Sequence, residues 1–434
     1  MAPSSTGRPA GAGSDLPPAL RGEIPGPRSR ALAARLARVE SRNVTCVVPS
    51  LPIFWERARG ANVWDADGNR YVDLGGGFGV ANVGHAHPRV VAALAEQCER
   101  LLHAMGDLQP AATKVLLLEA LAALFPGGGP VRAVLGSSGS DAVEIALKTC
   151  LLATGHPGVI AFEGAYHGLA LGALDATWRP LFRDPFRARL PHATAFARFG
   201  DVDSVRRAAR DFGLAIGAVI VEPIQGRGGE RIPPAGFLAE LRELCTREGW
   251  LLIADEVYTG FGRTGRWFAC EHESVVPDLL CVGKGLSSGM PLSACIGRAE
   301  VMDAWPEAAG EAIHTQTFLG HPPGCAAALA SIAVLREEKL VERAAALGAR
   351  ALERLRRRLA GRSGIAELRG RGLLIGIECE SSERALGACA AALARGVICA
   401  ASGDDLRVVS VAPPLSIDAE ILDLALDLLA EALA

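Results

Sequence analysis

Short apolar runs recur along the chain, each closed by a small or polar residue: VRAVLG (131–136), GVIAF (158–162), AIGAVIV (215–221), WLLIA (250–254) and LLCVG (279–283). Between them lie longer stretches whose apolar residues return at helical spacing. Strands bounded by helices predict a parallel sheet with helices on both faces. Upstream, ANVWDADGNRYVDL sets two short strands around a turn at Asp65–Asn69, a good hairpin signal. Downstream, an Ala/Leu-rich pattern from about Pro323 predicts a long helix, followed by strands within GRGLLIGIECE and DLRVVSVAPP. The closing ILDLALDLLAEALA reads as an amphipathic helix packed on a core. The pattern divides the chain into a large α/β domain over 86–322 and a smaller α/β domain built from 30–85 and 323–434. A helix is expected from about Ser29 to Ser41. Residues 1–29 are rich in Pro, Gly, Ser and Arg, have little to bury, and predict a disordered tail.

Composition narrows the classes. Half of the 434 residues are apolar, enough for a sizeable core. A formal net charge of −3 offers no basic footprint for nucleic acid and no polybasic patch for a membrane. The 11 cysteines are scattered, with no CxxC pair and no zinc-spaced cluster. Most sit in apolar runs, which suits a reducing, cytoplasmic setting. No apolar run reaches the roughly 18 residues that would span a bilayer, and the N-terminus lacks the apolar core of a signal peptide.

The chemistry stands at the strand ends, where open α/β sheets bind ligands. Lys284 follows an apolar strand at once, flanked by glycines, where an ammonium loses water and its pKa moves readily. Asp255 closes another strand, where a carboxylate needs a cationic or N–H partner. Ser138, Gly139 and Ser140 form a small-residue loop before a helix opening at Asp141, a place where backbone N–H groups bind phosphate. That loop is neither a Walker A sequence nor a dinucleotide GxGxxG. A phosphate cradle, a carboxylate for a pyridinium nitrogen and an amine able to form a Schiff base together describe a pyridoxal phosphate site. Tyr166, beside His167 at another strand end, supplies a ring to stack on the cofactor.

The chain resembles the class III, ω-amino-acid-type, pyridoxal-phosphate-dependent aminotransferases of fold type I. The likeness runs from about Arg59 to Pro414 and is most specific through ADEVYTGFGRTG and PDLLCVGKGLSSGMPLSA. It implies an α/β fold with a mostly parallel central sheet and a smaller domain from both ends of the chain. It implies that Lys284 is the Schiff-base lysine and that Asp255 pairs with the pyridine nitrogen. Val257 would lie beneath the ring and Tyr166 above it, with Ser138, Gly139 and Ser140 at the phosphate. His167, Glu222 (in VEPIQG) and Tyr258 are further implied cofactor contacts. Thr317 would reach the phosphate of a neighbouring subunit in a homodimer, and Arg369 would hold a substrate carboxylate. GHAHP, with His85 and His87, matches a family loop that binds no metal.

Departures from the family fall in the substrate pocket. Many members carry QGEGG, whose glutamate pairs with the carboxylate-binding arginine; here the stretch is QGRGG, with Arg227. An arginine that follows HG in ornithine-type members is Leu169, and a pocket tyrosine is Phe78. These changes imply an Arg369 without its gate, open to a carboxylate, and an Arg227 that either joins an anion pocket or turns outward. The expected activity is transamination between an amino donor and a keto acid or aldehyde. A racemase or epimerase of the same fold is the alternative, and a catalytically idle binding protein a more distant one.

Overall fold

The computed structural model describes residues 15–45 and 52–434. Its centre is a seven-stranded sheet in the order Val131–Gly136, Ser293–Arg298, Leu279–Val282, Leu251–Asp255, Ile216–Val221, Gly158–Phe162, Thr194–Ala197. All neighbours pair in parallel except Ser293–Arg298, which runs antiparallel between its two partners. The five apolar runs form strands as their pattern predicts. Thr194–Ala197 and Ser293–Arg298 are additional.

The four strands Gly158–Phe162, Ile216–Val221, Leu251–Asp255 and Leu279–Val282 are apolar throughout, save the closing Asp255, because both faces are covered. Alternate residues part cleanly: Val159, Ala161, Ala218, Ile220, Ile253, Leu279 and Cys281 pack with Ala142, Ile145 and Ala146 of the helix Gly139–Thr154. Ile160, Phe162, Val219, Val221, Leu252, Leu280 and Val282 face the other way, into a core that includes Leu238 and Leu241 of the helix Phe237–Glu248. A side chain at either parity therefore meets a helix, and only the strand ends are free for polar chemistry.

The hairpin Asn62–Asp65/Arg70–Asp73 forms around the expected turn, where the Asp65 carboxylate accepts the N–H groups of Asp67 and Asn69. Its sheet also contains Trp55–Arg59 and the distant strand Val397–Ile398. A third, antiparallel sheet joins Ile365–Arg371, Leu374–Cys379, Val408–Val411 and Ala400–Ser402. The long helix downstream of the large sheet spans Pro322–Glu337, and the closing helix Ala419–Ala432 packs its apolar stripe into the main core.

Part of the expected tail is ordered. Residues 15–29 lie along the hairpin, and residues 1–14 fall outside the described residues. Asp15 accepts the N–H groups of Ala61 and Asp418, Leu16 N donates to Asn62, and Ala19 bridges Arg70. The Asp67 carboxylate takes the N–H groups of Arg28 and Ser29 as the helix Pro27–Val39 begins. The segment has little apolar mass, but side chains of the hairpin satisfy its backbone, an effect that composition does not register.

The ten described cysteines are all free, and among the described residues no helix is long and apolar enough to cross a membrane.

Candidate active site

Beyond the C-terminal ends of the parallel strands lies a cavity of about 390 Å³. Of the residues singled out in the sequence as site candidates, all except Thr317 and Arg369 line it. The sheet register explains much of this. Asp255 stands opposite Cys281, so the end of one strand lies beside the turn Lys284–Leu286 that leaves the next.

Lys284 has a φ of 36°, a left-handed conformation unusual for a residue with a side chain. Its Nζ sits 4.9 Å from the centre of the Tyr258 ring. Burial lowers its pKa; the charges of Asp255 and Glu222 oppose that shift and Arg227 reinforces it. The Tyr258 ring is wedged against backbone, because a Cβ on Gly226 would come within 2.2 Å of it. Glycine is required at that close approach.

Asp255 accepts a hydrogen bond from the Val257 N–H at 3.1 Å, and its Oδ2 lies 2.7 Å from His167 Nδ1. Those contacts fix the carboxylate and assign the Nδ1 proton to the shared bond. His167 Nε2 is buried and has no hydrogen-bond partner among the described residues. Glu222 spans the loops after two strands, accepting Tyr166 N at 2.9 Å and Gly226 N at 3.0 Å. Burial pushes its carboxyl up to about 7.

The helix Gly139–Thr154 points its N-terminus at the same cavity. Ser138 caps it in a capping box with Asp141, whose carboxylate also takes the Ser137 and Ser138 N–H groups. The first-turn amides of Gly139 and Ser140 thus lie at the positive end of the helix dipole. A Cβ on Gly139 would approach Val257 to 2.9 Å, so only glycine allows this turn to close on Val257.

Arg369 is where the QGRGG reading needs correction. It does not line the cavity and does not lack an acidic partner. Its Nη1 donates to Glu367 and Glu378, each at 2.6 Å, and its Nε and Nη2 donate to the Gly229 carbonyl at 3.0 and 2.6 Å. Two carboxylates take the place of the absent glutamate. Arg227 lines the cavity while remaining exposed, its guanidinium 5.1 Å from the Tyr166 ring and 5.3 Å from that of Phe182. Phe78 sits on a run of left-handed residues at the rim and is largely exposed. Thr317 is exposed and away from this cavity. His85 pairs with Asp73 at 2.8 Å; His87 accepts the Arg89 N–H and faces Glu338 at 3.3 Å.

Sequence reasoning missed Arg179, Glu230, Ser402 and Ser410, which also line the cavity. Glu230 is buried; Ser402 donates to one carboxylate oxygen at 2.7 Å and Ser410 to the other at 2.6 Å. Burial pushes this carboxyl, too, up to about 7. Next to Arg231 in sequence, Glu230 reads as a solvated charge, and no local signal marks its partners from the third sheet.

Comparison with known proteins returns one family. The family described as "Aminotransferase class-III" matches residues 45–433. An acetylornithine aminotransferase of Methanopyrus kandleri is 43% identical over 88% of this chain and 94% of its own length. A 4-aminobutyrate aminotransferase of Mycobacterium leprae is 38% identical over 95% and 97%. Among solved structures, the ornithine aminotransferase from Toxoplasma gondii superimposes with a TM-score of 0.85 at 33% identity, covering 93% of this chain and 94% of that one. Another structure of that protein is described as having partial occupancy of PLP at the active site.

Proposed function

We propose that this chain, which belongs to the class III aminotransferases, moves an amino group from an amino acid or ω-amino compound to a keto acid or aldehyde, using pyridoxal phosphate held by Lys284. The family is pyridoxal-phosphate-dependent. The observation that carries the assignment to these residues is one cavity containing a desolvated lysine amine, a fixed aspartate and a helix N-terminus.

The residues suit the cofactor. The amides of Gly139 and Ser140 at the helix start suit its phosphate. Asp255, held by His167 and the Val257 N–H, suits a protonated ring nitrogen. The partnerless His167 Nε2 is a buried polar atom that a bound group would satisfy. Val257 and Tyr166 supply apolar faces for a flat ring. When bound, pyridoxal phosphate supplies an electron sink for the pair left behind as a C–H bond of the substrate breaks.

The remaining steps fall to the protein. Asp255, held so that it cannot rotate away, would stand beside the ring nitrogen of the bound cofactor and favour a proton there. Burial lowers the pKa of the Lys284 amine and so favours its neutral form. It accepts the proton from the substrate carbon and delivers it elsewhere on the same face. Glu222 holds the loop bearing Tyr166 to the loop bearing Gly226, closing the cavity around these groups.

We also infer a homodimer in a cytoplasmic setting. The segments 101–108 and 313–318 meet, with His103 and Phe318 rings 5.4 Å apart, and together expose Leu102, Met105, Leu108, Ile313 and Phe318. An apolar patch of this kind suits a partner subunit, and Thr317 lies within it. The free thiols suit a reducing compartment.

A donor panel run against pyruvate, 2-oxoglutarate and an aldehyde tests the activity. New amino and keto products should appear in equal amounts. One amino-acid enantiomer without an acceptor should stop after about one equivalent per site. Continued conversion to the other enantiomer would identify a racemase and sink the proposal.

A further inference from the structure

We propose that Arg227 and Arg179 form an anion clamp at the cavity mouth that holds an oxyacid group on the substrate, remote from the reacting amine. The inference rests on the transamination reading above and names the substrate class for the same site.

Charge accounts for the location. The guanidinium of Arg369 is saturated: Glu367, Glu378 and the carbonyls of Gly229 and Glu230 take its donors, and its side chain is only 7% exposed. Freeing it would leave Glu378, itself largely buried, without its closest cation. An incoming carboxylate therefore has to displace two carboxylates already in place.

Arg227 and Arg179 are differently placed. Both line the cavity that contains Lys284. Both guanidiniums lie against the Phe182 ring, at 5.3 Å for Arg227 and 5.7 Å for Arg179, which places the two charges in the same part of the site. Among the described residues neither has a carboxylate within 4.0 Å; Asp404, the acid that feels Arg179, lies beyond that distance. The carboxylates that line the cavity are engaged elsewhere, Asp255 by His167 and Val257, Glu222 by two backbone N–H groups and Glu230 by two serines, so the two cations repel each other and a bound anion relieves that repulsion. Each guanidinium lies over an aromatic ring, and its donors remain for an oxyanion. With Glu367 and Glu378 neutralising Arg369, the guanidiniums that remain to the cavity are those of Arg227 and Arg179.

Carboxylate, phosphonate and sulfonate share the required chemistry, and the test separates the first two. Glutarate and propylphosphonate, which have no amine to react, are titrated calorimetrically into the holoprotein and into holo Arg227→Gln and Arg179→Gln. Each substitution should weaken the tighter-binding probe about ten- to a hundredfold, the range for losing a charge-assisted hydrogen bond. The preferred probe identifies the oxyacid. In parallel, the ratio of kcat/KM for an ω-amino acid over the n-alkylamine of equal length should fall at least tenfold in each variant, mainly through KM. The visible spectrum of the bound cofactor reports an intact site. Equal probe affinity and an unchanged ratio in both variants would overturn the clamp while leaving transamination standing. Arginine-dependent probe binding by a protein that turns over no donor would uphold the clamp and overturn the transamination reading.

Discussion

At the scale of single residues, the site depends on Lys284 and Asp255 being kept in unequal states by their surroundings. Lys284 sits in a left-handed conformation that costs of order 1–3 kcal/mol for a residue with a side chain, a strain that persists only where the surrounding packing enforces it. Desolvation favours its neutral amine. Asp255 is held differently: the Val257 N–H and the His167 ring both bond to its oxygens and fix the carboxylate in place. Lys284→Ala should therefore lose the covalently held cofactor's visible band and lower kcat by roughly 10²–10⁴-fold, the usual worth of a positioned acid–base group. Full turnover in that variant would remove the basis of the mechanism. Asp255→Asn preserves shape and removes charge, and should lower kcat by roughly 10²–10³-fold, as for other oriented electrostatic groups. Circular dichroism and cofactor content separate this effect from misfolding, and near-normal rates would show that another group fulfils the role.

At the scale of elements, the helix Gly139–Thr154 connects sheet packing to ligand binding. Its buried stripe of Ala142, Ile145 and Ala146 pins it to the sheet, while the capping box of Ser138 and Asp141 leaves the Gly139 and Ser140 amides uncovered. Gly139 allows the turn to reach Val257 on the loop after Asp255. Gly139→Ala forces a methyl into a 2.9 Å gap. It should cost about 1–3 kcal/mol of cofactor affinity, the range for overpacking, or roughly a five- to 150-fold rise in Kd. Adding Val257→Ala should recover part of that loss in a double-mutant cycle. Strict additivity of the two would show that the contact is not what glycine protects.

At the scale of the whole molecule, Glu230 connects the large sheet's loops to the third sheet through Ser402 and Ser410. Its folded pKa of about 7 lies above the unfolded value of 4.5. A raised acid contributes stability that is complete below the unfolded pKa and lost as pH rises through the folded one. Between about pH 5 and pH 8 the wild-type melting temperature should fall more steeply than that of Glu230→Gln, whose amide keeps the serine bonds and cannot ionise. Parallel melting curves across that range would assign the pH dependence to another group. Self-association belongs at this scale as well. Ile313→Asp with Phe318→Asp, both on the exposed apolar patch, should shift sedimentation from dimer to monomer and weaken cofactor retention. A dimer undisturbed by both charges would move the interface elsewhere.

The alternation of apolar runs and helical stretches determined the central sheet, and the polar residues closing those runs marked where ligands bind. Both are local properties, because strand period and strand end are encoded within a few residues. Lys284, Asp255, Tyr166 and the Ser138–Ser140 loop were legible on that basis before any contact was known. Only the tertiary structure decided the ordering of residues 15–29, since hairpin side chains 39 to 48 positions away accept that segment's N–H groups. It also decided that Arg369 pairs with Glu367 and Glu378, that Glu230 is buried with two serines, and that Arg227 and Arg179 face one cavity. Glu367 and Glu378 come to Arg369 across a single hairpin, whereas the serines of Glu230 arrive from 172 and 180 positions away, and the sign of each interaction follows from distance in space. A sequence lists charges; folding chooses which of them neutralise one another and which remain for a ligand.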